Sequence, residues 1–480
     1  TDKTVKAIFE EPVFLSENGV TIKARDWTKA GDKGTINDVE YTIVDNQTLR
    51  QMIADGKDVS KVVTSKVTSM FRLFFDTQFN QDISSWDTSN VTTMNYMFYR
   101  NETFNQDISN WDVSNVTDMA GMFQSCSSFN SDLSSWDISK NTTLYGTFGG
   151  TKFDLNIANW DVSNVTNMEQ TFASTTWSMD VSKWDVSSVT NMRLLFHNNK
   201  VFNVDISNWD VSNVRNMQEL FKQAEAFNID IGNWNTSNVT NMYEMFHKAT
   251  NFNKSINSWD VSKVENMRRM FWDASSFNQN LNNWDVSNVT LMDGMFDKAT
   301  VFNGNIGSWN VSNVINMRSM FAYSAFNQDI GSWDVSNVIE MRGMFYANAH
   351  YNQPMADWDL SNVTNLFGFF ARSVFNQDIS KWDVSNVTDM ESMFEYNDVF
   401  NQDISDWNVS NVTNMKAMFL DADAFNQDIG SWDVSNVTNM DYMFHAANVF
   451  NQDLSSWCVS KIDSEPIKFS LGSSLTDLTN

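Results

Sequence analysis

The 480-residue chain contains only two cysteines, Cys126 and Cys458. So few thiols cannot form the disulfide framework of a small secreted scaffold, and their scarcity fits either redox compartment. Basic residues are also outnumbered: 32 Lys and Arg stand against 59 Asp and Glu, a formal net charge of −27. That excludes the basic footprint of a nucleic-acid binder and electrostatic docking on anionic lipid. It favours solubility and leaves room for cations or basic partners. No apolar run approaches the roughly 20 residues of a membrane span, so no membrane insertion is expected. The chain starts at Thr1 without a signal-peptide pattern, as a processed or trimmed chain would. No nucleophile–base pairing, Gly-rich phosphate loop or Cys/His zinc set is present, and an enzyme is not expected.

What fills the chain instead is repetition. FNQDISSWDTSNVTTMNYMF at 79–98 returns as FNQDISNWDVSNVTDMAGMF at 104–123 and as FNQDIGSWDVSNVTNMDYMF at 425–444. From Trp86 to Trp457 a tryptophan recurs at every step of 24 or 25 residues. A stack of small units does this, and a compact enzyme does not. At about 4.8 Å per stacked strand, Cys126 and Cys458 lie on the order of 60 Å apart, beyond disulfide reach.

Residues 1–57 lack the repeat. VKAIFE, PVFLSENGVTIKA and INDVEYTIV are strand-like, Asn18-Gly19 signals a hairpin, and TLRQMIADG at 48–56 reads as a short helix stopped by Gly56. These residues predict a small β-rich cap, which an array needs to cover its first open edge. The repeat fades in at 58, with Val62 at the Trp position, and runs to 457. It blurs around 141–181 and again at 351–370, where Pro354 takes an Asp position. Residues 458–480 read as a C-terminal cap or tail.

Two periodicities alternate within a unit. Met94, Met97 and Phe98 fall at i, i+3 and i+4, the stripe of a short helix. Ile83-x-x-Trp86-x-Thr88-x-Asn90 follows the strand-and-turn spacing of a leucine-rich repeat, with Trp86 and Thr88 inward and Asp87 outward. Asn side chains are expected to pair with the backbone of neighbouring turns, and Trp and Phe columns to form the core. The expected fold is therefore α/β: a right-handed, leucine-rich-repeat-like solenoid with one short parallel strand and one short helix per repeat.

The motif FNQDIS-x-WDVSNVT-x-M-x-x-MF, over about 58–460, resembles the bacterial surface-protein repeat of about 25 residues. That repeat occurs in mycoplasma and Listeria lipoproteins and is related to BspA-like leucine-rich repeats. The resemblance implies a secreted or surface-anchored protein, and some BspA-like relatives are adhesins. It carries no catalytic residues over.

Three sets of residues could bear chemistry. The Asp after each Trp (Asp87, Asp112, Asp137, Asp161, Asp185, Asp210 and onward) forms an outward row, interrupted by Asn235, Asn310 and Asn408. Carboxylates in a row suit a hard cation such as Ca²⁺. The competing reading has each Asp bonding nearby Ser or Thr hydroxyls and backbone N–H groups. A second Asp row before the isoleucine fits ordinary turn chemistry, and the many N-V-T triplets are dictated by the repeat.

The third set is the turn beside Met-Phe, where the repeat imposes no letter. Tyr99, His197, His247, Arg268, Arg269, Trp272, Arg318, Arg342, Tyr346 and Phe367 stand there. Tyr, Trp and Arg dominate binding hot spots, so this column is the candidate recognition surface, against unconstrained drift as the plain alternative. The histidines of the column lie at least two repeats apart and cannot share a metal. The leading expectation is a non-enzymatic extracellular or cell-surface adhesion protein that binds a protein or glycan multivalently. The alternatives are a self-associating spacer or filament subunit, and a glycan or ice binder using the polar Asp/Ser/Asn/Thr face. No cofactor beyond Ca²⁺ is implied.

Overall fold

The computed structural model describes residues 10–152 and 156–475, so all of VKAIFE except Glu10 lies outside the described residues. The chain divides into two compact units, 1–213 and 214–480.

The first unit opens on the β-rich cap. Strands β1 (Val13–Leu15) and β2 (Ile22–Ala24) form an antiparallel hairpin in register Val13↔Ala24. Its turn forms where Asn18-Gly19 signals it: the Asn18 Oδ1 accepts from the Val20 and Thr21 amides, and Gly19 takes φ +72°. Strands β3 (Lys33–Ile36) and β4 (Val39–Asp45) make a second hairpin across Asn37 and Asp38, both at positive φ, the short polar residues that tolerate this geometry. Helix α1 (Asn46–Ala54) starts at Asp45, which forms a reciprocal capping box with Thr48, and Gly56 beyond it is left-handed. Val13, Ile22, Ala24, Ile43 and Val63 form the cap's core.

Strand β5 (Val62–Lys66) pairs in parallel with β4, so the sheet runs past the expected boundary at 57. This strand is also the first repeat's Trp-x-Thr segment. Thr64 Oγ1 donates to the Asp87 carbonyl as Thr88 Oγ1 donates to that of Asp112. The cap thus presents the repeat's own hydrogen-bond pattern to the next copy.

Beyond Lys66 the expected strand and helix per repeat are both absent: among the described residues, α1 is the one helix and the repeats are built of turns. In the 94–101 segment the Met94, Tyr96, Phe98 and Arg100 amides donate to the carbonyls of Asp118, Ala120, Met122 and Gln124 in the next copy, at 2.7–2.9 Å. The intervening Met97, Tyr99 and Asn101 amides close local turns onto Met94, Tyr96 and Phe98, at 2.9–3.3 Å. A helix needs every donor within the segment, bonded four residues back. Here half of them leave it. Tyr96 and Arg100 sit at φ 53° and 56°, outside the helical region. Met94, Met97 and Phe98 are nevertheless wholly buried, so the helical spacing marks a core stripe carried by turns.

Strand geometry is reduced to one parallel bridge per copy. Ser69, Thr93 and Asp118 bridge in series in the first unit, and Asn216, Asn241, Asn266 and Leu291 begin the series that reaches Asn439 in the second. Between bridges, side chains hold the copies together. The Trp111 indole lies 6.3 Å from that of Trp86 at an interplanar angle of 2°, and its Nε1 donates to the Ile83 carbonyl at 3.2 Å. Trp284 and Trp309 repeat this in the second unit, donating to Ile256 and Leu281. The Asn columns pair across copies as expected: Asn115 Nδ2 donates to the Ser89 carbonyl and Asn313 Nδ2 to that of Ser287. Both cysteines are free; Cys126 fills a buried small-residue position, where burial pushes its thiol up to about 12.

Candidate recognition surface

The residue after each core Met opens the turn that carries the variable side chains. In the second unit this column reads Gln218, Tyr243, Arg268, Asp293, Arg318, Arg342, Phe367, Glu391, Lys416 and Asp441. Parallel stacking sets each beside the next, and they pair along the stack. The Arg268 guanidinium lies 5.9 Å from the Tyr243 ring and 2.7 Å from the Asp293 carboxylate. Arg342 lies 4.1 Å over the Phe367 ring, and Lys416 bonds Glu391 at 2.8 Å.

The neighbouring columns converge on Trp272. Its half-buried indole stacks on His247 with centroids 4.4 Å apart, and Arg269 lies over it at 4.8 Å. Beneath is Glu244, only 2% exposed, which binds Lys222 at 2.5 Å, His247 Nδ1 at 3.1 Å and Arg269 at 3.4 Å. Burial pushes the Glu244 carboxyl up, but hydrogen bonds from His247, Lys222 and Tyr243, with the Lys222 charge, win and hold it far below the usual carboxylate range. Two repeats on, Asp297 shows the opposite result. Burial raises it to about 6 against the weaker pull of Lys298 and Arg269.

The structure therefore brings His247, Arg269 and Trp272 into direct contact and places Arg268, Arg318, Arg342 and Phe367 along one adjoining row. Tyr346 pairs with Tyr323 at 5.4 Å in the column beyond. Tyr99 and His197 belong to the first unit, where Tyr99 stacks on Phe75 at 4.8 Å beside Arg72 and Arg100. Sequence reasoning missed Glu244 and Asp293. Their available signal was an acid where other copies hold Gly, Ser or Ala (Gly294, Ser319, Gly343, Ala417), or beside an Arg one period away.

The carboxylate row is engaged locally. Asp112, Asp137, Asp161, Asp185 and Asp210 each accept from the amide of the Ser two residues on, at 3.0–3.1 Å. For Asp137 and Asp185 the Ser hydroxyl and amide hold the carboxyl below its usual range. Asp87 is buried, accepting from Ser65 and Ser89 hydroxyls, with Lys23 of the cap at 3.7 Å. Among the described residues no group of three or more His, Cys, Asp or Glu is placed to hold a metal. No described helix is long and apolar enough to cross a membrane.

The family model described as "Mycoplasma protein of unknown function, DUF285" matches residues 46–154, 142–235, 205–300, 277–374 and 367–477. The chain belongs to this family. Its five successive matches set the DUF285 chain among bacterial tandem-repeat proteins. No curated protein matches it. Among solved structures it is similar to a plant peptide hormone receptor, RGFR1, in complex with RGF2, at 7% identity over 92% of this chain. The match spans 59% of that receptor chain at a TM-score of 0.19, a likeness too loose to carry an argument.

Proposed function

We propose that this DUF285 chain is a non-enzymatic recognition protein of the cell surface or extracellular space. In this reading each unit is a right-handed solenoid of leucine-rich-repeat character, and its turn columns contact a protein or glycan multivalently. One observation carries the proposal. At turn positions where the repeat imposes no letter, Trp272, His247 and Arg269 assemble into one aromatic–cationic cluster anchored by a buried carboxylate. Half-exposed Trp and Arg on a pre-ordered base are what binding hot spots are made of. Such contacts repeated along a stack add avidity without new chemistry.

The test compares the chain with its Arg269→Ala/Trp272→Ala/Tyr346→Ala variant on arrays of immobilised glycans and extracellular proteins, with circular dichroism to confirm the fold. The reading expects a loss of retained signal of about tenfold or more, on the order set by hot-spot truncation. Equal retention by a folded variant overturns it.

A further inference from the structure

Along the column that follows the core Met, Arg268 is paired with Asp293 and Lys416 with Glu391, but two successive arginines are not paired. Arg318 lies between Asp293 and Arg342: the Gly294 amide bonds the Arg318 carbonyl at 2.7 Å and the Ser319 amide bonds that of Arg342 at 2.9 Å. Asp293 is already taken by Arg268 at 2.7 Å. Among the described residues no carboxylate lies within ion-pair distance of either Arg318 or Arg342. Glu340, the nearest acid in sequence, accepts the Arg342 backbone amide at 2.8 Å. Glu391 feels the Arg342 charge only from beyond that distance and is bonded by Lys416. Arg318 is exposed, and the Arg342 guanidinium lies over the Phe367 ring at 4.1 Å. Arg318 and Arg342 thus occupy successive copies of one column without an ion-pair partner, on a chain whose net charge is −27.

We infer that Arg318 and Arg342 form an anion clamp for the carboxylate of a uronic-acid oligosaccharide. The inference rests on the recognition reading above and names its ligand class. A planar carboxylate fits the guanidinium fork, and the contact with Phe367 holds one fork in place in advance. The small residues Ser319 and Gly343 follow the two arginines, and beyond them Tyr323 and Tyr346 offer ring faces for a sugar. An acidic peptide fits less well. A peptide added as a strand draws on free main-chain groups, and the Gly294, Ser319 and Gly343 amides are all spent on the next repeat. A dense polyanion is opposed by the negative field of the whole chain, which a sparsely charged saccharide tolerates.

The test is titration calorimetry of the full chain with galacturonate and mannuronate tetramers. The comparison probes are the same tetramers with carboxyls reduced to alcohols, a sulfated neutral tetramer and a tetraglutamate peptide. The clamp expects the uronates to bind about tenfold or more tightly than their reduced forms. Arg318→Gln/Arg342→Gln should abolish that preference, while Lys381→Gln, a charge loss at an exposed site, should keep it. The inference is overturned by equal binding of reduced tetramers, by a folded double variant that keeps the preference, by a preference for sulfate or peptide, or by no uronate binding. If Trp272-dependent binding to another ligand persists in any of those cases, the clamp falls and the recognition reading stands. If the Arg269/Trp272/Tyr346 variant also loses nothing, both fall.

Discussion

The rung of the repeat, from Ile through Trp, Asp, Ser and Asn, and the turn beside Met-Phe use polar side chains in opposite ways. On the rung the same bonds recur in copy after copy. The Trp Nε1 reaches a carbonyl of the preceding copy, the Asn amide reaches a Ser carbonyl, and the Asp carboxylate closes its own turn. Trp333, whose Nε1 has no partner, is an exception. In the turns each pairing is peculiar to its copy, and Trp272 Nε1, His247 Nε2 and Asp297 Oδ1 have no hydrogen-bond partner. The rung's polar capacity is committed to stacking, while the turn keeps some uncommitted. Stability and recognition are thereby assigned to different letters of the same repeat.

Four substitutions grade that division. Trp284→Ala removes a rung side chain stacked on Trp309 and should cost about 3–5 kcal/mol in denaturant unfolding. A cost below about 1 kcal/mol would refute the rung as the stabilising element. Glu244→Gln leaves Lys222 without its closest partner and should cost about 2 kcal/mol at pH 7. Because the Glu244 pKa is depressed from 4.5, its contribution is full above that pH and disappears as pH falls through the folded value. Wild type and variant should therefore converge in acid, and parallel stability curves would contradict the assignment.

Asp297→Asn should do the reverse. With the folded pKa raised to about 6 from 3.8, the ionised form is the disfavoured one, so wild-type stability drops as pH rises from about 4 to 6. The variant should gain about 3 kcal/mol over wild type at about pH 7 and almost nothing at about pH 4. The smallest effect belongs to Asp112→Asn, expected within about 0.5 kcal/mol. Asn235, Asn310 and Asn408 already close the same turn at 3.2 Å. On the same ground EDTA should leave the melting temperature unchanged, whereas a calcium ladder would lower it.

The period, the Trp core, the first hairpin of the cap and the Asn columns could be read from the sequence because each is a local pattern with one physical outcome. The Asn18-Gly19 turn and the Trp positions from 86 to 457 are the plainest cases. The helix expected over Met94–Phe98 was illegible for a specific reason. Spacing of i, i+3 and i+4 follows from any chain that turns every three to four residues, and successive turns satisfy it as well as a helix does. The left-handed positions were hidden too, since Tyr96, Glu244 and Arg269 occupy them where Gly would have announced them. In the turn column, residue types pointed to recognition, but only the register shows that Arg268 meets Asp293 while Arg318 meets none.

The cap meets the first turn with two side chains of α1. Arg50 donates to the Phe71 carbonyl at 2.7 Å, and Asn46 Oδ1 accepts from the Thr68 and Ser69 amides at 3.0 and 3.2 Å. In later copies those roles belong to backbone, with one donor to the turn carbonyl and one acceptor for the Thr amide, as Arg72 serves Asn95 and Thr68 serves Thr92. The helix therefore impersonates a preceding repeat. A chain made from its N-terminus has this template finished before the first Trp of the repeats is added. Each turn laid on it offers the same pattern to its successor. Growth of the stack then has a direction and a starting block, and the costly nucleus is carried once, by a segment that is not a repeat at all.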